Sequence, residues 1–361
     1  MSSRQNIIIA GGGTGGHLFP ALSIAQNLVA QGIDKDKIIF FGSKHSLEKK
    51  VIPERGYRIY LFSGRGINKT RSIKNVLNAL GLVVAFIKAF FMLIYLKPRV
   101  VVGVGGYAAF PAILSAFLLR KKMVVHEQNA VLGRINKIAQ KLGAKVITTF
   151  DNTEGTTKDS VCLGLPLRDE ILSQIQNNVN SVNKVNTNEF KSVLIFGGSM
   201  GAKCINDAVI EMINNFDLSL NHKLTLITGE KNFEKVKTQL VNKNIEVLPF
   251  VDNLFERISE SDLVVSRSGA GTCVEIELSG VRSIVVPLAI APGDHQLKNA
   301  SEIVEAGIAT IILEKDLTGK KLYNSLIDLL ENDNNDLKNI KMGIKHIEAG
   351  KSIATFLVAN Y

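Results

Sequence analysis

Four glycine-rich turns recur along this chain, and each follows an apolar segment typical of a buried strand. They are GGGTGGH at 11–17, GGYAAFP at 105–111, GGSMGA at 197–202 and SRSGAG at 266–271. Glycine lets a ligand approach the main chain closely. A glycine turn that opens a helix also directs N–H groups and the positive end of the helix dipole towards an anion. Because the turns occur in both halves, they predict a phosphorylated ligand in a cleft between two α/β domains.

The first turn also contains the spacing GxGxxG, from Gly11 to Gly16, which is found in nicotinamide dinucleotide-binding proteins. Those proteins place an acidic residue near the end of the second strand, where it binds the ribose. Here the predicted second strand, 37–42, is followed by the residues SKH at 43–45. NAD is therefore disfavoured. An NADP-dependent oxidoreductase, with Lys44 on the extra phosphate, stays an alternative.

The composition describes an ordinary globular protein with an uneven charge. The chain has 361 residues, 46% of them hydrophobic and 21% charged, which favours two domains over one. Residues 1–165 carry 23 Lys and Arg against 8 Asp and Glu, and the remainder carries 20 against 25. A basic first half predicts an anionic partner. A membrane surface is favoured over nucleic acid, because aromatic residues are not interleaved with the basic ones.

Strand-like runs alternate with helical patterns from the first residues onwards, which predicts two doubly wound parallel sheets. The short apolar run at 6–10 predicts a first strand rather than a signal peptide. We expect an N-terminal domain over 1–165, a C-terminal domain over 166–340, and a helix at 341–361 that packs back on the first domain. The Asn-rich segment 174–190 predicts a solvated loop.

The most hydrophobic segment is 79–96. We predict that it forms a core helix of the first domain. Lys69, Arg71 and Lys74 lie just before it, among apolar residues. This combination suits an anionic lipid surface, so a membrane contact is a second interpretation. A membrane-spanning helix is least favoured, because Lys88 lies in the middle of the segment.

The cysteines and one acidic pair bear on metal binding. Cys162, Cys204 and Cys273 are far apart and predict buried, reduced thiols rather than a metal site or a disulfide framework. Asp34 and Asp36 form a DxD pair, a pattern that some sugar transferases use to hold a cation. Here the pair precedes a strand, so a solvated turn is favoured. No metal or cofactor is predicted, and assistance by a divalent cation stays open.

Taken together, the motifs resemble one family over nearly the whole chain. The matching segments are GGTGGHLFPAL at 12–22, VVGVGGYAAFP at 101–111, HEQNAVLGRINK at 126–137, GLPLR at 164–168, GGSMGAKCIN at 197–206, SRSGAGTCVEI at 266–276 and HQLKNA at 295–300. Their order is similar to that of the MurG family, the bacterial N-acetylglucosaminyl transferases of glycosyltransferase family 28. The HEQN segment and the GGTGGH turn are the specific parts of this resemblance.

The resemblance implies a GT-B fold, in which two Rossmann-like domains face each other across a cleft. It implies UDP-N-acetylglucosamine (UDP-GlcNAc) as donor and undecaprenyl-pyrophosphoryl-N-acetylmuramyl-pentapeptide (lipid I) as acceptor, with inversion to a β-1,4 bond that yields lipid II. It further implies a peripheral enzyme on the cytoplasmic face of the bacterial inner membrane, working beside other enzymes of cell-wall synthesis. A non-catalytic nucleotide-binding adaptor at the membrane is the remaining alternative.

By the same resemblance, most donor contacts fall in the second domain. Val251 would lie beside the uracil, Glu275 would bind the ribose hydroxyls, and Gln296 would bind the hydroxyls of GlcNAc. The diphosphate and its surroundings would be contacted by residues of two glycine turns and the helix that follows the second of them: Ser199, Ala270, Gly271, Thr272, Cys273 and Val274.

The first domain would hold the acceptor and supply the base. Residues that would close over the sugar and the acceptor diphosphate are Thr14, Gly15, Gly16 and Asn129, and Arg168 would connect the hinge to the donor. A base must take the proton of the attacking hydroxyl. His17 is the first candidate and Glu127 the second. The alternatives are a histidine that braces the glycine turn and a carboxylate that binds backbone N–H groups of a neighbouring turn.

Overall fold

The computed structural model describes residues 5–63, 73–179, 191–198, 200–216, 222–331 and 343–361, without the side chains of 73–77, 177–179 and 292. The chain forms two units. Unit 1 comprises Met1–Asp169 and Lys345–Tyr361, and unit 2 comprises Glu170–Ile344. The chain thus leaves unit 1, builds unit 2 and returns to unit 1.

Each unit contains one sheet, and all strand pairs are parallel. The strands of unit 1 are β1 (Ile7–Ala10), β2 (Ile38–Ser43), β3 (Arg58–Phe62), β4 (Val100–Gly103), β5 (Lys122–Glu127), β6 (Lys145–Thr148) and β7 (Val161–Cys162). Those of unit 2 are β8 (Lys191–Phe196), β9 (His222–Ile227), β10 (Glu246–Leu248), β11 (Leu263–Ser266), β12 (Arg282–Val285) and β13 (Ala309–Ile311). Their orders are β3-β2-β1-β4-β5-β6-β7 and β10-β9-β8-β11-β12-β13.

Helices connect the strands and cover the sheets. They are α1 (Gly15–Ala30), α2 (Glu48–Glu54), α3 (Ile73–Leu96), α4 (Ala109–Leu118), α5 (Arg134–Lys141), α6 (Asp169–Val179), α7 (Lys203–Asn215), α8 (Phe233–Gln239), α9 (Leu254–Ser259), α10 (Ala270–Ser279), α11 (His295–Glu305), α12 (Gly319–Glu331), α13 (Ile344–Ile347) and α14 (Ala349–Asn360). Short 3-10 turns lie at Lys35–Lys37, Glu230–Asn232, Pro292–Asp294 and Glu314–Asp316.

The core of unit 1 follows from the continuous apolar strands. Successive side chains of a strand point to opposite faces. Ile7 and Ile9 pack in a cluster with α1 and α14, whereas Ile8 and Ala10 pack in another with α3 and α4. A strand buried on both faces must be apolar at every position, which explains the run NIIIA.

Unit 2 repeats this plan, with α7 and α12 packed over β8, β9 and β11 in one cluster. The predicted class, two doubly wound parallel α/β sheets, is therefore correct. The sequence pattern did not predict three of the strands: β3, β7 and β13. Each lies at or beside a sheet edge and is partly exposed, so its apolar pattern is weak.

The prediction of a loop over 174–190 is wrong at its start. Helix α6 continues to Val179, because Ile171 and Ile175 are one turn apart and both buried. Residues 180–190 lie outside the described part of the chain.

Candidate active site

The strand orders place the four glycine turns in two pairs. In each sheet the order reverses at one point, where β1 lies beside β4 and β8 beside β11. In open parallel sheets, ligands bind outside the carboxyl ends of the strands at such a switch point. The four turns follow these four strands. Each unit therefore has two neighbouring glycine turns where a ligand is expected to bind.

The helices that follow these turns begin without anionic or capping side chains. The N-cap residues of α1, α4, α7 and α10 are Thr14, Ala108, Ala202 and Gly269, and none of them makes a side-chain cap hydrogen bond. None of these helices has an acidic residue in its first turn. Because the first N–H groups of a helix have no partner within it, these N-termini suit an anion.

The first glycine turn is held by a carboxylate that the sequence did not reveal. Glu48, at the start of α2, is buried, and its Oε1 accepts hydrogen bonds from Gly13 N at 3.0 Å and Ser43 N at 3.2 Å. Gly12, with φ +136°, lies so close to this carboxylate that a Cβ there would overlap it. The Gly13 N–H is thus occupied by Glu48 and is not available to a ligand.

His17 lies in the first turn of α1 and packs against the second glycine turn. A Cβ on Gly105 would lie 3.0 Å from His17 Cε1. Gly106, with φ +74°, sits so close to the Gly12 carbonyl that a Cβ would overlap it. The two turns and the imidazole therefore form one closely packed group. His17 Nδ1 is 3.0 Å from Gln128 Oε1.

The second candidate base, Glu127, has its carboxylate fully engaged. It ends β5 and is buried. Oε1 accepts from Asn129 N and Asn129 Nδ2 at 3.0 and 3.1 Å, and Oε2 accepts from Gly133 N and Asn136 Nδ2 at 2.7 and 2.8 Å. These bonds fix the loop 128–133 and the start of α5. They also engage one of the two N–H groups of the Asn129 amide.

His126 is a buried neighbour of this loop rather than a group with access to substrate. Its Nε2 lies 3.0 Å from the Gly164 carbonyl oxygen. Burial lowers the pKa of His126 to about 4, so the ring is neutral at pH 7.

Arg168 lies immediately before α6. Its guanidinium lies 4.9 Å from the centre of the Phe19 ring of α1, a cation–π distance. Thr14, Gly15 and Gly16, at the start of the same helix, are partly or fully exposed. All of these residues belong to unit 1.

In unit 2 the predicted donor residues cluster at the start of α10. Ala270, Gly271 and Thr272 form its first turn, and Glu275 follows one turn later with 9% exposure. The buried side chains of Cys273 and Val274 belong to the core, and burial raises the pKa of the Cys273 thiol. A contact from either residue to the diphosphate would therefore come from its main chain. Val251 lies half-buried after β10.

Gln296 and Arg267 hold the loop that precedes α11. Gln296 Oε1 accepts from Leu288 N at 2.9 Å. Arg267 Nη1 donates to Glu314 at 3.0 Å and to the carbonyl oxygens of Val286 and Pro287. This bond from Arg267 lowers the pKa of Glu314. The same Glu314 oxygen accepts from Ala289 N at 3.1 Å, so one ion pair fixes residues 286–289.

Several predicted residues lie elsewhere. Ser199, Lys69 and Arg71 fall outside the described residues, as does the Lys74 side chain. Asp34 is the N-cap of the 3-10 turn before β2, and Asp36 lies within that turn. Asp34 Oδ1 accepts a hydrogen bond from Asp36 N at 3.0 Å. That is the amino end of the strand, opposite to the glycine turns.

An exposed apolar surface lies on unit 1. On α3, Ala85, Ala89 and Leu93 pack into the core. The opposite side of α3 and the end of α4 expose large apolar side chains, which we call the α3–α4 surface: Leu80, Val83, Val84, Ile87, Phe91, Ile94, Tyr95, Phe117 and Leu118. Asn78–Leu96 is long and apolar enough to cross a membrane, and 22% of it is buried inside the protein. It is therefore a core helix on one side only.

Comparison with known proteins agrees with this geometry. The glycosyltransferase family 28 N-terminal domain matches residues 7–148, and the C-terminal domain of the same family matches residues 192–354. The crystal structure of Acinetobacter baumannii MurG superposes with a TM-score of 0.76 at 26% identity, covering 98% of this chain and 99% of that one.

Two curated relatives are similar over most of their length. One from Geobacter sp. (strain M21) is 33% identical over 361 residues, covering 98% of this chain and 96% of the relative. One from Myxococcus xanthus is 35% identical over 331 residues, covering 90% and 84%. Both are named UDP-N-acetylglucosamine–N-acetylmuramyl-(pentapeptide) pyrophosphoryl-undecaprenol N-acetylglucosamine transferase. The chain has the GT-B fold and belongs to glycosyltransferase family 28, in the MurG branch of these transferases.

Proposed function

We propose that this chain transfers GlcNAc from UDP-GlcNAc to the 4-hydroxyl of the muramyl sugar of lipid I, with inversion, to give lipid II. The observation that carries the proposal is that each sheet has two glycine turns at its switch point. Each of the four turns leads into a helix that has no acidic residue in its first turn. Donor and acceptor are both diphosphates, so the reaction needs two anion sites. The names of the relatives supply the identity of the two substrates.

Unit 2 is proposed to bind the donor. The N–H groups of Ala270, Gly271 and Thr272 lie at the positive end of α10, where a diphosphate is stabilised. Glu275 is able to accept two hydrogen bonds from the ribose. Because Gln296 Oε1 is held by Leu288 N, its amide N–H₂ is left to donate to the GlcNAc hydroxyls. Val251 completes the site beside the uracil.

Unit 1 is proposed to bind the acceptor and to supply the base. Thr14, Gly15 and Gly16 at the start of α1, with Asn129, bind the sugar and its diphosphate. His17 is preferred as base over Glu127, since all four hydrogen bonds of the Glu127 carboxylate serve the loop 128–133. Arg168 supplies a positive charge for the diphosphates. We propose no resident metal, because helix N-termini and Arg168 stabilise the leaving UDP.

The function is tested with radiolabelled UDP-GlcNAc and a lipid I analogue. We expect transfer of label to the lipid, and heat of binding from UDP-GlcNAc but none from NADPH in isothermal titration. Binding of NADPH alone would support the oxidoreductase alternative. Binding of UDP-GlcNAc without transfer would support a non-catalytic adaptor.

The Glu275→Ala variant is expected to bind UDP about 10²-fold more weakly, because two hydrogen bonds to a charged acceptor are lost. Turnover at saturating donor should change much less. Titration of UDP measures the affinity, with Glu277→Ala as the matched control on another side of α10. Equal weakening by both substitutions would mean that the helix, rather than the ribose contact, was damaged.

We further propose that the α3–α4 surface rests on the cytoplasmic face of the bacterial inner membrane, where lipid I is accessible and other enzymes of cell-wall synthesis work. Phe91 is 63% exposed and Tyr95 is 82% exposed. An apolar surface of this extent on one unit is unusual for a protein that contacts only water. The surplus of positive charge over residues 1–165 adds attraction to anionic lipids. Because Ala85, Ala89 and Leu93 pack in the core, α3 lies on the bilayer and does not span it.

Replacing Leu80 and Phe91 together by Glu is expected to lower binding to anionic phospholipid vesicles about 10²-fold or more, since two apolar anchors become charged. Co-sedimentation with vesicles measures the effect. The control replaces Val241 and Ile344, two exposed apolar residues of unit 2, by Glu. Unchanged sedimentation of the Leu80/Phe91 variant would place the membrane contact elsewhere.

A further inference from the structure

Three polar side chains form a continuous hydrogen-bonded chain behind the glycine turns of unit 1. His17 Nδ1 lies 3.0 Å from Gln128 Oε1, and Gln128 Nε2 lies 3.1 Å from His126 Nδ1. The far end of the chain is His126 Nε2, which lies 3.0 Å from the Gly164 carbonyl oxygen. Gln128 and His126 are buried, whereas His17 is partly exposed. The chain therefore runs from the interior towards the candidate site.

Elementary hydrogen-bond chemistry fixes the protons along this chain. A carbonyl oxygen only accepts, so His126 Nε2 carries a proton and donates it to Gly164. The His126 ring is neutral, so its Nδ1 has a lone pair and accepts from Gln128.

The orientation of the Gln128 amide is set independently. Its Nε2 also donates to the Val104 carbonyl oxygen at 3.1 Å. With both N–H bonds directed at acceptors, the carbonyl end must face His17. Gln128 Oε1 only accepts, so His17 Nδ1 must carry a proton. The neutral His17 ring then has its lone pair on Nε2.

We propose that Gln128 is a positioning residue that holds His17 as the Nδ1–H tautomer and so leaves Nε2 ready to act as the base. This inference rests on the role of His17 proposed above. In the transfer step the acceptor hydroxyl gives its proton to His17 Nε2 while its oxygen forms the new bond to the anomeric carbon. The bond from that carbon to the diphosphate oxygen breaks, and its electron pair leaves with UDP. The imidazolium formed keeps its Nδ1–H bond to Gln128.

The amide suits this position better than a carboxylate. A carboxylate accepts only, so it would face the Val104 carbonyl oxygen and the His126 lone pair without a proton for either. The amide donates to both on one side and accepts from His17 on the other. It also adds no negative charge beside the site of an anionic acceptor. A single neutral side chain thus links the buried His126 to the partly exposed His17.

The first test is the wild-type protein without substrate. Long-range proton–nitrogen spectra of ¹⁵N-histidine-labelled protein report which ring nitrogen of each of the six histidines carries the proton. His17 is assigned by loss of its signals in His17→Ala. We expect His17 protonated at Nδ1 and His126 protonated at Nε2 at pH 7. A neutral His17 ring with its single proton on Nε2 would overturn the proposal, whatever the enzyme catalyses.

The second test is Gln128→Met, which keeps the volume and removes the amide. We expect the His17 signals to move towards the Nε2–H form and kcat to fall about 10²-fold, with the KM for UDP-GlcNAc within about twofold of wild type. The control is Gln140→Met, since the Gln140 amide bonds Gly155 and Thr157 instead. We expect it to leave the His17 signals and kcat unchanged.

The outcomes separate this proposal from the proposed function. A wild-type enzyme without GlcNAc transfer would refute the function, while the spectra alone would still decide the tautomer. Normal kcat in Gln128→Met with a changed tautomer would refute the positioning role and leave transferase activity intact. An unchanged tautomer in that variant would show that Gln128 does not set it, and would overturn the proposal.

Discussion

The His17→Ala variant is expected to lose about 10³-fold in kcat, which is within the range attributed to one general base. Without the imidazole, the proton of the attacking hydroxyl has no acceptor at the start of α1. The affinity for UDP should stay close to that of wild type, because the contacts proposed for the uracil, the ribose and GlcNAc are in unit 2 and none of them involves His17. This split between turnover and donor binding is the opposite of that expected for Glu275→Ala.

Steady-state transfer to a lipid I analogue and titration of UDP measure the two quantities. His45→Ala is the matched control, since His45 is an exposed histidine of the same unit. A normal kcat in His17→Ala would show that His17 only braces the two glycine turns that it contacts. A loss of UDP affinity equal to that of Glu275→Ala would contradict the assignment of donor and acceptor to different units.

The Glu127→Gln variant is expected to destabilise unit 1 by about 3 kcal/mol, because a buried carboxylate with four donors is replaced by an amide. The new amide nitrogen donates and cannot accept. It would face either the two N–H donors of Asn129 or the donors of Gly133 and Asn136, and that pair of donors would lose its acceptor. The loop 128–133 should then open locally before the unit unfolds. Activity should fall as a consequence of the lost loop.

Hydrogen exchange followed by mass spectrometry of the peptide that covers 127–137 measures this opening. Glu54→Gln is the control, because Glu54 is exposed and its ion pair with Lys50, at 4.0 Å, lies on the surface. If Glu127→Gln kept the wild-type exchange rate of that peptide and lost kcat, Glu127 would have to replace His17 as the base.

The sequence predicted the fold well because its strongest signal is local. Continuous β-branched strands followed by glycine turns place each turn at the carboxyl edge of a sheet, and this needs no knowledge of distant contacts. The roles of the residues at the starts of α1 and α10 came from the family resemblance instead, and they stay predictions. Cys273 and Val274 could not be separated from their neighbours, because only the direction of a helix face decides whether a side chain enters the core.

Residues that act through distant contacts were not predictable. Glu48 contacts the first glycine turn from the start of α2, 35 residues away from Gly13 in sequence. Arg267 lies within a recognised turn, but its partner Glu314 is 47 residues further on. Gln128 lies within HEQN, yet its role depends on how β5 places it against the turn after β4. Such pairs depend on tertiary packing, which spacing along one sequence does not encode.

For helix α3 the sequence could not predict which side is buried. Its sequence is apolar on all sides, so periodicity cannot separate the face that packs from the face that is exposed. The first interpretation of 79–96, a core helix, describes one side of α3. The opposite side is apolar and exposed, and its contact with a membrane stays a proposal. Which apolar residues of α3 are buried and which are exposed is visible only once the sheet is in place.

The return of the chain to unit 1 has a consequence for synthesis. Ile353, Ala354 and Leu357 of α14 belong to the same cluster as Ile7 and Ile9 of β1. When a ribosome makes this protein, the first sheet emerges long before the helix that covers part of its apolar face, and all of unit 2 is made in between. Unit 2 is contiguous and is able to fold first. Completion of unit 1 is therefore a late, long-range step, and part of that face stays uncovered until α14 has been made.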